Sequence, residues 1–198
     1  MINSIYSSIK LSFKTFDLLL ILSTILFGVI FMKESLAGDL LVAENDNWFV
    51  VNDDVMGGRS KSKVIWLSEQ NTLRFEGLLS LKNNGGFASI RSVLKANYFS
   101  DAKHICIDVK GDGRDYQFRL RNNRRFNSYA YVAKFQTKSD TWQNICFSPN
   151  DFVAQYRGRI LTNIPPPEFS DIRQLGFMVA DKKEAFFRLD IRLIHSSI

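Results

Sequence analysis

Histidine is scarce in this chain, and its scarcity removes most nucleophilic catalysis. A Ser–His or Cys–His pair needs a base held beside the nucleophile, and the chain offers only His104 and His195. His104 opens a strand-like run and His195 lies near the C-terminus, so a structural role is expected for both. Cysteine is equally sparse. Cys106 and Cys146 are too few for a disulfide framework or a four-ligand zinc site. Neither HExxH nor another paired metal-ligand spacing occurs, so nothing points to a transition-metal centre. No GxGxxG or Walker loop follows a strand and opens a helix, which leaves nucleotide binding without support. The EF-hand spacing is missing too. No cofactor and no nucleic-acid partner is expected.

Long apolar runs are also few. The one that stands out is Leu18–Met32, fifteen residues without a charge. Lys10 and Lys14 precede it, and Lys33-Glu34-Ser35-Leu36-Ala37 follows. A basic start, an apolar stretch and small residues at a cleavage position form the pattern of a secretory signal. As a helix the run would be about 22 Å long, short of the ~30 Å hydrocarbon core of a bilayer. The readings are a cleaved signal peptide, an uncleaved membrane anchor or a buried core helix. The first two predict an exported, periplasmic or membrane-anchored protein, membrane-associated if uncleaved. The expected division is residues 1–37 as that segment and 38–198 as one domain.

From Gly38 onward no convincing helix pattern appears. Short β-branched and aromatic runs alternate with period two, broken by Gly, Asn, Asp and Pro. Tyr116, Phe118 and Leu120 alternate with Gln117, Arg119 and Arg121. Ile105, Ile107 and Val109 oppose His104, Cys106 and Asp108. Tyr129–Gln136 is apolar on both faces, as a central strand is. Further strands are expected at Ser62–Leu67, Leu73–Glu76, Phe87–Val93, Trp142–Phe147, Gln174–Ala180 and Phe186–Ile194. The spacing predicts an all-β, two-sheet sandwich of jelly-roll type. Seventeen phenylalanines, most inside these runs, predict an aromatic core.

Two polar stretches echo each other: Asn52-Asp53-Asp54-Val55-Met56-Gly57-Gly58-Arg59-Ser60 and Asn83-Asn84-Gly85-Gly86-Phe87-Ala88-Ser89-Ile90-Arg91-Ser92. Each joins a Gly pair to short polar side chains able to fold back on backbone amides. They are either two well-made turns or two walls of one site. In the second case Asp53, Asp54 and Asn84 face the backbone and one another, with Arg91 or Arg114 as charge partner. Turn carboxylates, Asp53 and Asp112 among them, could also flank a glycosidase cleft or hold calcium, but turn formation is their commoner role. Arg114, Arg119, Arg121, Arg124 and Arg125 make a dense basic cluster in a chain of net charge +6. It is a solvated outer face or a contact for acidic protein surface or lipid headgroups. Cys106 and Cys146 either pair, if their strands are adjacent, or stay as two buried thiols.

These residues resemble a known family. Trp48 with Asn52–Ser60, then Phe75-Glu76-Gly77, Leu81–Ser92, Lys110-Gly111-Asp112-Gly113-Arg114, Trp142-Gln143, Tyr156-Arg157-Gly158-Arg159, Gly176–Asp181 and Phe187-Arg188-Leu189 are similar to the complex I intermediate-associated protein 30 family. Cys146-Phe147-Ser148-Pro149 and Glu184-Ala185-Phe186 depart from its pattern in what look like loops. The resemblance implies a galactose-binding-like jelly roll and a non-enzymatic assembly factor. Its partner would be a protein, of a respiratory or envelope complex. A glycan is the alternative ligand, with Trp48 or Trp142 available for stacking on sugar. The candidate binding residues are Asp53, Asp54, Asn84, Arg91, Asp112, Arg114, Arg119, Arg121 and Arg157.

Overall fold

A computed structural model describes Leu40–Leu41, residues 48–125 and residues 128–197. The N-terminal apolar segment lies outside the described residues. The strands are β1 (Leu40–Leu41), β2 (Phe49–Asn52), β3 (Lys61–Leu67), β4 (Thr72–Leu78), β5 (Ala88–Val93), β6 (His104–Gly111), β7 (Asp115–Arg121), β8 (Ala130–Gln136), β9 (Trp142–Phe147), β10 (Val153–Tyr156), β11 (Arg159–Ile160), β12 (Gln174–Val179) and β13 (Phe186–Ser197). Short 3₁₀ turns, and no α-helix, connect them among the described residues. No helix there is long and apolar enough to cross a membrane.

The strands form two antiparallel sheets. One is six-stranded, in the order β3-β4-β13-β6-β9, with β1 also on β13; the other is seven-stranded, β11-β10-β8-β7-β12-β5-β2. The alternation read from sequence sets which side chains face in. Tyr116, Phe118 and Leu120 of β7 are fully buried, as are Ile105, Ile107 and Val109 of β6. In the core Phe118 meets Phe147 of the other sheet at 5.5 Å and Phe152 at 6.0 Å, and Phe75 of β4 meets Phe187 of the neighbouring β13 edge-on at 4.9 Å. Such pairs contribute roughly 0.5–1.5 kcal/mol each beyond their buried area. The core is therefore aromatic, as the phenylalanine content predicted. β8 is interior and buried along most of its length on both faces. β10 and β11 are too short to stand out as periodic runs, and they form one edge of the larger sheet.

Candidate functional site

Asp53 is the point on which both glycine-rich stretches close. It sits in the turn Asp53–Met56 directly after β2 and is 1% exposed. Its Oδ1 accepts the Ser60 amide at 2.8 Å. Its Oδ2 accepts the Ser60 hydroxyl at 2.5 Å, the Gly86 amide at 2.7 Å and the Phe87 amide at 3.3 Å. The glycines make room for the carboxylate. A Cβ on Gly58 would stand 2.3 Å from Asp53 Cγ, and one on Gly85 would stand 2.5 Å from Asp53 Oδ2. Burial pushes the Asp53 pKa up, but the hydrogen bonds from Ser60, Gly86 and Phe87 outweigh it and hold the carboxyl below its ordinary value. The two stretches meet, as the second reading required, yet they enclose a protein carboxylate. Its partners are hydroxyl and amide donors rather than Arg91 or Arg114.

Asp54 and Asn84 do not join that centre. Asp54 caps the Val55 amide at 3.0 Å, and both residues are exposed. The turns present apolar side chains outward instead. Met56 is 65% exposed and Val55 is also exposed. The Asn83 side chain donates to Gly57 O at 3.2 Å, tying the two turns together. The Leu81 amide donates to Glu184 at 2.9 Å, and Leu78 lies opposite Phe186, which is 59% exposed. Val55, Met56, Leu78, Leu81 and Phe186 are all exposed, on segments that the β3–β4 and β4–β13 pairing and the Asn83–Gly57 bond bring to one end of the sandwich. Sequence reasoning missed this set: Val55 and Met56 fall in a turn read for its polar residues, and apolar residues such as Leu78 and Phe186 in a strand pattern read as core.

Asp112 and Arg114 are structural. Asp112 accepts from the Arg114 amide, the Tyr116 hydroxyl and the Arg188 amide. The Arg114 guanidinium pairs with Asp181 at 2.6 and 2.9 Å and donates to the carbonyls of Lys183, Ala185 and Phe186. This staples the β6–β7 turn to the β12–β13 loop. Burial alone would weaken the charge on Arg114, but Asp181 raises its pKa. An open cavity of about 410 Å³ lies beside it, lined in part by Arg114, Ala185 and Phe186.

Three of the candidate arginines, Arg91, Arg119 and Arg121, lie on the outer face of the seven-stranded sheet. Arg119 of β7 lies opposite Gly176 of β12, and Gly176 lies opposite Arg91 of β5. Arg121 lies opposite Gln174. Arg119 donates to Gln117 at 2.6 Å. Burial, with Arg91 nearby, lowers the Arg119 pKa to about 10. Burial, with Arg91 and Arg119, lowers that of Arg121 to about 9. Arg157 is elsewhere, exposed in the β10–β11 turn over the Tyr156 ring.

Both tryptophans named for sugar stacking are occupied. Trp48 stacks on Phe177 at 6.2 Å. Trp142 carries Lys110 at 5.2 Å and Arg192 at 4.5 Å over its ring. Cys106 and Cys146 face each other across β6 and β9 and form a disulfide. Among the described residues no group of His, Cys, Asp and Glu could hold a metal ion.

Comparison with known proteins accords with this architecture. The sequence matches the Complex I intermediate-associated protein 30 family over residues 38–191. A curated relative, "Complex I intermediate-associated protein 30, mitochondrial" of Mus musculus, is 24% identical over 169 residues, 75% of this chain and 51% of that protein. The chain thus spans about half the length of that relative. Among solved structures, the family 11 carbohydrate-binding module of a cellulosomal cellulase of Clostridium thermocellum has a TM-score of 0.58 at 16% identity, covering 82% of this chain and 97% of that one. The same family's module in complex with a mixed-linked tetrasaccharide has a TM-score of 0.56 at 17% identity, over 77% and 91%. Identities this low speak for the sandwich fold alone. The mouse match also corrects the expected location. The relative is a mitochondrial protein, which overturns the exported, periplasmic or membrane-anchored reading. An apolar run with basic flanks is a targeting pattern that receptors decode, so its length and polarity did not fix an address. With a family match that spans residues 38–191, well over half of its length, this chain belongs to the Complex I intermediate-associated protein 30 family.

Proposed function

We propose that this protein is a non-catalytic binding domain that helps assemble a protein complex, a respiratory one as the relative's name indicates. A jelly-roll sandwich of the galactose-binding type serves as its rigid scaffold, and the partner docks on the glycine-rich end. The observation that carries this reading is the exposed apolar set at that end, with Met56 and Phe186 its most exposed members. Soluble domains seldom gather such side chains without a partner, and Met adapts to irregular protein surfaces. The buried Asp53 carboxylate fixes the turns that display them, so less ordering entropy is lost on docking.

Capture from solubilised membranes tests the proposal. The wild-type chain should recover a respiratory assembly intermediate. Met56→Lys with Phe186→Ser should weaken capture roughly 30-fold or more, as for a hot spot worth ~2 kcal/mol. Ile160→Ser, at an exposed apolar residue on edge strand β11, should leave it unchanged. Equal capture by all three would sink the assignment. The carbohydrate reading gains nothing specific, since Trp48 and Trp142 are already covered.

A further inference from the structure

The Cys106–Cys146 disulfide lies on the outer face of the smaller sheet, since the flanking Ile105 and Ile107 are the side chains that enter the core. Its two halves are unequal. Cys106 belongs to the interior strand β6 and is 1% exposed. Cys146 is exposed, on β9 at one edge of the sheet, where no further strand covers it among the described residues. One half of the bond is shielded and the other is offered to solvent. His195 of β13 stands opposite Cys106 on its other side, so His195, Cys106 and Cys146 form one row across three strands. Residues paired in this way share a face, with Cβ atoms about 4.5–5.5 Å apart. His195 Nδ1 is buried and has no hydrogen-bond partner among the described residues. A disulfide sulfur has no proton to give it. A freed Cys106 thiol can donate to a ring nitrogen, and a thiolate can accept from one. The unpaired nitrogen is a cost to the closed state that opening the bond relieves.

We propose that Cys146 is a thiol-exchange site for a low-molecular-weight thiol of the glutathione class, with Cys106 as the leaving group and His195 placed to receive it. The thiolate of the small molecule attacks Cys146 Sγ. A new S–S bond forms there as the Cys146–Cys106 bond breaks, and the electron pair leaves on Cys106 Sγ, which His195 hydrogen-bonds. One disulfide replaces another, so the step consumes no oxidant or reductant. Attack falls on the accessible sulfur, and exchange is faster when the departing thiolate is stabilised. Six paired positions, Ile105–Lys110 against Trp142–Phe147, still hold β9 to β6 while the bond is open. His195 is nine residues along β13 from Phe186, roughly 30 Å, so the site does not depend on docking at the glycine-rich end.

Glutathione exchange on the oxidised full chain tests it. Wild type held in native buffer with reduced glutathione, then acid-quenched and peptide-mapped by mass spectrometry, should carry glutathione on Cys146 and not on Cys106. Cys106→Ser should accumulate the Cys146 adduct from oxidised glutathione, whereas Cys146→Ser should stay unmodified until urea is added. In a glutathione redox buffer, His195→Phe should shift the thiol–disulfide balance toward the disulfide about tenfold, as for one lost hydrogen bond to a charged group. His195→Asn, which keeps a donor and an acceptor, should recover part of that shift. An adduct on Cys106, no exchange before unfolding, or an unmoved balance in His195→Phe each overturns the proposal. Should a variant fail to fold, the wild-type peptide map decides the matter by the same criterion. Met56→Lys with Phe186→Ser should exchange as wild type does, so this site and the docking end stand or fall individually.

Discussion

Asp53 shows how a single carboxylate organises two turns. Its four hydrogen bonds come from Ser60, Gly86 and Phe87, and all would face a changed acceptor in Asp53→Asn. An amide turns one acceptor into a donor aimed at other donors, at a cost of about 2–3 kcal/mol. In a domain of this size that is roughly 5–10 °C in Tm. The pH dependence follows from the lowered pKa. A carboxylate depressed on folding contributes its full stability above the unfolded value, near 3.9, and loses it as pH falls through the folded value. The gap between wild type and Asp53→Asn should be complete at pH 7 and narrow at pH 3 in thermal melts. An Asn variant as stable as wild type at pH 7 would contradict this assignment. Gly58→Ala should be destabilised for the same reason, since its methyl would stand 2.3 Å from Asp53 Cγ.

Among the elements, β9 is one edge strand of the smaller sheet, held by its ladder to β6 and by the Cys106–Cys146 disulfide. The bond spans a sequence separation of 40, which the chain-entropy account values at about 4 kcal/mol. Urea melts with and without reductant, alongside the Cys106→Ala/Cys146→Ala variant, should show a loss approaching that figure. A negligible loss would mean the β6–β9 ladder suffices alone. The pairing was not legible beforehand, because alternation places Cys106 on a face but says nothing of which strand lies beside it. The same limit governs the arginines. Arg119 and Arg121 share a face by their spacing alone, which the sequence makes plain. Arg91 joins them only through the β5–β12–β7 register, a long-range fact. Arg114 looked like a member of the cluster because it is adjacent in sequence, but it ends in the core of a loop staple with Asp181. What was legible is what period-two patterning controls: the strands, their inward faces and the aromatic core. What was not is whatever depends on which strands meet.

At the level of the whole molecule, the described core belongs to one continuous stretch. Among the described residues, every buried core residue falls between Val51 and Ile194, and β1 at Leu40–Leu41 closes onto β13. The family match begins at residue 38. A fragment of residues 38–198 therefore keeps both sheets and all the described aromatic contacts. Gly58, Gly85, Asp53 and Ser60, which shape the glycine-rich end, are retained as well. We expect this fragment to unfold in one cooperative transition. Its Tm should lie within about 3 °C of the full chain, the shift that ~1 kcal/mol produces at this size. Circular dichroism melts of both chains make the comparison. A fragment that aggregates or melts far lower would assign residues 1–37 to the core, favouring the buried-helix reading of Leu18–Met32 over a targeting segment.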